Sequence, residues 1–453
     1  MNGLGTMSRV ALRPLHPTPL AHSLAVLETF VSPYTGIVTA LVEFARGPDE
    51  ARLVSYGAVA ADPVALGGPR PSGTSGGSHW VPEAARAAAL GESIERYSAA
   101  HLPTEACRLA SAAELGPSAV PPSSFALFHR AQYEADGFPF RPFTGASRVR
   151  WTRGFALPDG VEAWLPAQLV YLPLLAPGSD EELVGYATSS GVACAPTLEE
   201  AVLAGLFEQV ERDAFMLVWR NRLSLPLLDW RGDPHLASLD DRYFAPTALR
   251  YTAVDLSVFF GIPTALGVVH GAPGELSPLG VGAGCGATVE VAWRKALAEA
   301  FAVHTHVRDA LYERPELLEQ QSEIRTFDDH IFHYGVEERA RLAAFLDASR
   351  ERRPTTAVPP LPGDDVRAQI EEVVRRLRER GVSAFAVDVT ARDVREAGLF
   401  VARVVCPELC QLDVVDSARF LGGSRLYRAA YERGLLDRPL ALEDLNPHPH
   451  PFP

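Results

Sequence analysis

Apolar and polar positions along the chain follow two rhythms. Runs dense in β-branched and aromatic residues read as strands. These are ALVEFA and ARLVSYGAVA within residues 24–62, the stretches 151–157 and 161–171, and two core strands at 249–258 and 262–271. VSAFAVDVT and LFVARVVCPEL near the C-terminus read the same way. Preceded by the helical DDVRAQIEEVVRRLRERG, they suggest a final α/β layer. Helical spacing with Ala- and Leu-rich flanks marks 88–98, 204–214 and the end of 280–301, and residues 309–350 read as charged helix. Punctuation lies between. Residues 1–23 look loose, 68–79 (GPRPSGTSGGSH) reads as a Gly/Ser loop, and 117–145 reads as a packed connector. Gly-rich 280–286 reads as a turn and 352–365 as a Pro-rich surface linker. Thr197 with Glu200 fits a capping box opening the second of the helices.

Two of these helices repeat one another. AALGESIERYS at 88–98 and AGLFEQVERDA at 204–214 place Glu92, Glu95 and Arg96 opposite Glu208, Glu211 and Arg212, 116 residues on. Ala88 matches Ala204, Leu90 matches Leu206 and Ile94 matches Val210. On a helix, positions i, i+4, i+7 and i+8 share a face, so each copy carries an Ala–Glu–Glu–Arg stripe. A buried carboxylate pair is costly unless neutralised, and a magnesium ion with phosphate is one partner that would do so. The plainer reading, an exposed face of local Glu–Arg pairs, stands beside it.

Composition narrows the field. A net charge of −14 argues against nucleic acid as partner. No apolar run is long enough to span a bilayer, and the N-terminus has no signal-peptide pattern. The five scattered cysteines form no C-x2-C pair, so they read as reduced and the compartment as cytoplasmic.

The doubled helix resembles the YcaO family, which binds ATP and magnesium through an S-x3-E-x2-E-R helix and a second S-x3-E-x2-E helix. Ala88 and Ala204 stand where that family often has Ser. The resemblance implies an α+β fold of mixed sheets and packed helices enclosing a central ATP site. It implies that Glu92, Glu95, Glu208 and Glu211 hold magnesium ions and phosphates, with Arg96 and Arg212 on the nucleotide. Asp213, completing E-R-D, would support the site from behind. The Gly/Ser loop offers Ser75 and Ser78 as nucleotide contacts, without the Lys the family often has there. Glu299 on the third helix is a further candidate, although Ala302 replaces a frequent Gln. His304 and His306, two apart, do not share a helix face and form no metal pair.

VSPYTGIV at 31–38, Gln132–Tyr133 and LGGSRLYRAA at 421–430 resemble the SagD-type subgroup, which installs thiazoles and oxazoles in peptides. The chain closes on NPHPHPFP, with Pro449, Pro451 and Pro453 matching the P-x-P-x-P end of azoline-forming YcaO enzymes. Taken alone, such a tail is an extended, polyproline-type segment. The resemblance implies that it reaches the active site, where the Pro453 carboxylate acts on a proton. The expected division is 1–65 as an N-terminal segment with short strands, 66–440 as the catalytic domain and 441–453 as the tail. The expected activity is an ATP- and Mg²⁺-dependent cyclodehydratase acting on Cys, Ser or Thr of a precursor peptide. With no room for a leader-gripping domain, a separate E1-like or ocin-ThiF-like partner is expected, with a flavin dehydrogenase and a homodimer as further associations. A thioamide- or amidine-forming relative and a non-catalytic scaffold are the alternatives.

Overall fold

A computed structural model of the chain describes residues 16–62, 74–172, 180–318 and 324–453. The fold is α+β, built on three sheets. The first is antiparallel, in the order β1 (Val38–Glu43), β2 (Val54–Ala60), β3 (Thr74–His79). The second runs β4 (Arg108–Ala110), β5 (Val149–Ala156), β13 (Phe385–Asp388), β14 (Phe400–Val405), β7 (Val192–Ala195), with β6 (Val161–Pro166) paired to β5. The third runs β11 (Leu279–Cys285), β10 (Thr264–His270), β9 (Arg250–Asp255), β8 (Leu227–Asp229), β12 (Arg352–Pro354).

One unit recurs across the sheets. β3, β7 and β11 each lie at a sheet edge, and each leads into a long helix. We call these helices the first (Pro82–Ala99), second (Leu198–Asn221) and third (Val289–Glu313). Pro82 at N1 starts the first, where its missing N–H costs nothing. Thr197 and Thr288 cap the other two by accepting from Glu200 N and Val291 N. The expected capping box at Thr197 is only half made. Glu200 turns its carboxylate to the Thr197 hydroxyl and to Thr18 instead of the Thr197 amide.

Small residues let strand and helix approach closely. A Cβ at Gly77 would lie 2.2 Å from the Ala85 carbonyl, and one at Gly282 would lie 2.4 Å from Ala300 N. Larger side chains there would push the helices off their strands. The second sheet is covered on both faces. Val401 and Val405 pack with Leu90 and Ile94 of the first helix, and Ala402 and Val404 with Leu206 and Val210 of the second. The two helices therefore meet at that sheet's β7 edge.

Several expectations from the pattern give way here. Residues 280–286, read as a turn, lie mostly in β11, and residues 74–79 of the supposed loop form β3; residues 68–73 fall outside the described residues. In both stretches glycine serves close packing and breaks no strand. The 352–365 linker contributes β12, parallel to β8, and buries Val358 and Leu361. β13 and β14 are not a final layer; they lie between β5 and β7 inside the second sheet. Leu20–Leu27, partly within the stretch read as loose, is a helix. The first sheet crosses residue 65, pairing β2 with β3.

Candidate active site

An edge strand carries N–H groups with no strand to receive them. In this protein glutamates receive such groups, on two edge strands and in the turn that enters the third. Glu92 accepts from Gly76 N (2.8 Å), Glu208 from Gly191 N (3.0 Å) and Glu299 from Ala283 N (2.7 Å), across 16, 17 and 16 residues. The hydrogen bonds thereby align three units where the sequence displays two. Glu95 ties two of them together, accepting from Cys194 N on β7 at 2.8 Å. Each of these four carboxylates spends an oxygen on a main-chain amide, which fixes its direction.

The alignment sets the third unit's differences in register. Lys295 occupies the place of Ala88 and Ala204, Ala302 that of the second Glu, and Val303 that of the Arg. Lys295 Nζ lies 3.6 Å from Glu211 Oε2 on a side chain that is 46% exposed, and the charges of Glu211, Cys285, Glu299 and Glu208 outweigh desolvation and raise its pKa. Sequence reading missed this lysine. Its only local signal was its place one turn before Glu299, on the same stripe.

The charges are poorly balanced. Burial pushes Glu95 up to about 8, and the charges of Glu208 and Glu92 add to the rise. Burial pushes Glu299 up to about 7, with Glu211 raising it further while Arg212 and Lys295 oppose. Glu208 is raised by burial too, against Arg212. Arg96 meets Glu92 at 2.5 Å, and Arg212 lies 3.5 Å from Glu208 and 3.9 Å from Glu211. Glu211 is 4% exposed, yet its Oε2 has no hydrogen bond, nor does Arg212 Nε. Clustered carboxylates with anchored backs, raised pKa values and an orphaned buried oxygen fit a divalent cation with oxygen preference. Arg96, Arg212 and Lys295 beside them fit phosphate oxygens. Of the serines, Ser75 is buried and Ser78 is hydrogen-bonded to Ser55 at 2.7 Å; the backbone of Gly76 between them is what meets the site.

Asp213 faces away from the carboxylates. Fully buried, it binds Arg425 through both oxygens (2.8 Å each) and accepts Cys410 N at 2.9 Å. It fastens the second helix to the C-terminal segment that carries the tail.

The tail runs inward. Arg220 of the second helix donates to the carbonyls of Asn446 and His448 (2.9 Å each), and Trp219 Nε1 also donates to His448 (3.1 Å). Tyr334 donates to Pro449 at 2.5 Å, and His330 Nδ1 meets the His450 carbonyl at 3.1 Å. Prolines bring no N–H, so a buried polyproline strand needs partners mainly for its carbonyls. Of the two buried residues between prolines, Phe452 N donates to His450 Nδ1, and His450 Nε2 donates to the Asp413 carbonyl at 2.6 Å. Phe452 is fully buried against Phe215, with centroids 4.6 Å apart, and under the Arg212 guanidinium at 4.4 Å. Arg212 Nη1 then reaches Pro453 O at 3.2 Å. The last residue thus touches the arginine that flanks Glu208 and Glu211.

His330, Asp413 and His450 cluster closely enough to suggest a metal. Their atoms are otherwise engaged. The His330 nitrogens face the carbonyls of His450 and Val414, and Asp413 pairs through both oxygens with Arg220. They form a latch on the tail. His304 is buried and His306 faces Asp328 at 3.8 Å.

Residues 76–410 match the family described as YcaO cyclodehydratase, ATP- and Mg²⁺-binding. The chain belongs to the YcaO family. The match opens at Gly76, which supplies the Glu92 anchor, and closes at Cys410, which bonds Asp213. A heterocyclase solved with substrate and cofactor has 26% identity and a TM-score of 0.78, covering 98% of this YcaO chain and 59% of its own. The heterocyclase TruD has 24% identity and a TM-score of 0.70, covering 98% and 55%. The chain therefore spans somewhat over half the length of these heterocyclases. YcaO from Methanopyrus kandleri, solved with AMPPCP and Mg²⁺, has 19% identity and a TM-score of 0.63, covering 89% and 94%. An uncharacterized protein of Methanothermobacter thermautotrophicus is 26% identical over 336 residues, covering 72% of this chain and 78% of its own. No helix among the described residues is long and apolar enough to cross a membrane.

Proposed function

We propose that this YcaO protein is an ATP-dependent cyclodehydratase that forms thiazoline or oxazoline rings at Cys, Ser or Thr of a ribosomal precursor peptide. The observation that carries the reading is the Arg212 bridge: one guanidinium faces Glu208 and Glu211 on one side and the tail's last residue on the other.

Magnesium, when bound, neutralises the phosphates of ATP and orients the γ-phosphoryl group. Glu92, Glu95, Glu208 and Glu211 would hold it, with Glu299 of the third helix as a further carboxylate; the amide anchors on Glu92, Glu95, Glu208 and Glu299 support this reading. Arg96, Arg212 and Lys295 hold phosphate oxygens. The substrate side chain, a thiol or hydroxyl, adds to the preceding amide carbonyl. Its proton passes to the Pro453 carboxylate. The carbonyl oxygen, now an oxyanion, attacks the γ-phosphorus and ADP departs. Loss of phosphate, with the amide proton, leaves the C=N bond of the azoline. Phe452 and the latch around His450 keep water away from the tail and fix its reach. A terminal carboxylate is a weak base in water, with a pKa of about 3.5, so it would need bound substrate to complete the desolvation that the half-buried Pro453 only begins.

Substrate delivery would be the work of a leader-binding protein, E1-like or ocin-ThiF-like. A flavin dehydrogenase would oxidise azolines to azoles. The test is mass spectrometry of precursor peptide after incubation with the protein, its leader-binding partner, Mg²⁺ and ATP. Loss of one water per ring with stoichiometric ADP is expected, and Glu95→Ala should abolish both. Sulfur for oxygen exchange would instead make it a thioamide enzyme, and no ATP turnover would make it a scaffold.

A further inference from the structure

Arg403 lies in β14, 4% exposed, in a strand whose other residues are Phe, Val and Ala. A guanidinium so placed is costly unless well partnered. Its partners are two carbonyls, Thr188 O at 2.5 Å and Leu169 O at 3.3 Å, and its Nε has no hydrogen bond. Among the described residues no carboxylate lies within ion-pairing distance. Burial lowers its pKa to about 10, with the charge of Glu208 opposing.

What Arg403 holds explains the expense. Residues Thr188–Gly191 form the turn into β7, and this turn delivers the Gly191 N–H to Glu208. The turn is gripped from two sides. From β14, Arg403 takes the Thr188 carbonyl and Val404 N takes the Gly191 carbonyl at 2.7 Å. From the second helix, Gln209 Nε2 takes the Ser190 carbonyl at 2.9 Å. Gly191 has φ of +85°, and a Cβ there would lie 2.5 Å from Val404 O, so the turn has little slack.

We propose that Arg403 is a positioning residue of the metal cage, acting through the Thr188–Gly191 turn to keep the Glu208 carboxylate aimed into the cleft. The inference rests on the reading that these carboxylates hold Mg²⁺ and nucleotide. It does not depend on which bond the enzyme makes.

The experiment is calorimetric binding of AMPPCP to the full chain across a Mg²⁺ series, for wild type, Arg403→Met and Arg403→Lys. Lysine retains charge, but one ammonium cannot span both carbonyls. Arg403→Met should raise the Mg²⁺ concentration for half-maximal binding by about 10-fold, the range seen when a group behind metal ligands is removed. Arg403→Lys should give a smaller rise of about 3-fold, with near-native circular dichroism. Equal Mg²⁺ midpoints in wild type and in either folded variant would overturn the inference, and Arg403→Lys decides it if Arg403→Met does not fold. Wild-type protein that binds no AMPPCP at any Mg²⁺ concentration would overturn it too. Protein that binds AMPPCP but forms no azoline would sink the proposed reaction alone, and the Arg403 comparison would still be read.

Discussion

The acidic cleft and the tail seat lie on the same second helix and solve opposite problems. Around the tail, nearly every buried polar group finds a partner within the chain: Arg220 with Asp413, Trp219 with His448, Tyr334 with Pro449. Around the glutamates, one oxygen of each anchored carboxylate is settled while the remainder repel one another, and Glu211 Oε2 has no hydrogen bond. The seat is complete by itself and stores stability. On the proposed reading a cation would complete the cleft, which forgoes stability without one. One helix carries both because its cleft-facing stripe (Glu208, Glu211, Arg212) ends two turns before its tail-facing residues (Trp219, Arg220).

The sharpest break in this contrast is Glu95→Ala. Mg²⁺-dependent AMPPCP affinity should fall by more than the roughly 10- to 100-fold typical of a group behind the ligands. The metal-free variant should nevertheless melt no lower than wild type, because a repelling carboxylate has gone; a marked fall in melting temperature would show that Glu95 is structural. The mirror experiment is Asp413→Ala, which strands the Arg220 charge. It should cost about 3–5 kcal/mol in denaturant unfolding, as breaking a buried pair does. A loss under 1 kcal/mol would deny that the seat is self-satisfied.

Proton linkage separates the regions more gently. Glu95, at about 8, and Glu299, at about 7, are largely or half protonated at pH 7 without metal and must ionise to bind it. Binding of Mg²⁺ with AMPPCP at pH 7 should release about one proton, read from calorimetry in buffers of differing ionisation enthalpy. For stability the sign follows from a raised carboxylate pKa. The contribution is fully present below the unfolded value of about 4.3 and fades as pH rises through 8. Metal-free protein should thus lose stability between pH 5 and 8, and saturating Mg²⁺ with nucleotide should flatten that slope. The smallest effect is Tyr334→Phe. It frees the Pro449 carbonyl and should cost about 1 kcal/mol in the same unfolding assay, with no change in the Mg²⁺ midpoint.

The repeated E-x2-E-R and the proline spacing of the tail were legible because each is written in one short segment, while the tail's inward course came only from the family resemblance. The third unit escaped as a repeat. Its Lys295, Ala302 and Val303 share no residue with the other two stripes, and only the amide-to-carboxylate span reveals the kinship. Its strand escaped because Gly280, Gly282 and Gly284 resemble a turn until the helix above them is in view. Arg220 with Asp413, and Arg403 with Thr188, join residues about 200 apart, and no local pattern announces such pairs.

The glutamates are aimed by peptide N–H groups of Gly76, Gly191, Cys194 and Ala283. Those groups belong to the backbone, so at Gly76, Cys194 and Ala283 the donor itself does not depend on the side chain, whereas the left-handed Gly191 tolerates none. Proline alone deletes the donor outright. Sequence drift in these border strands can therefore leave the aim of the acids intact.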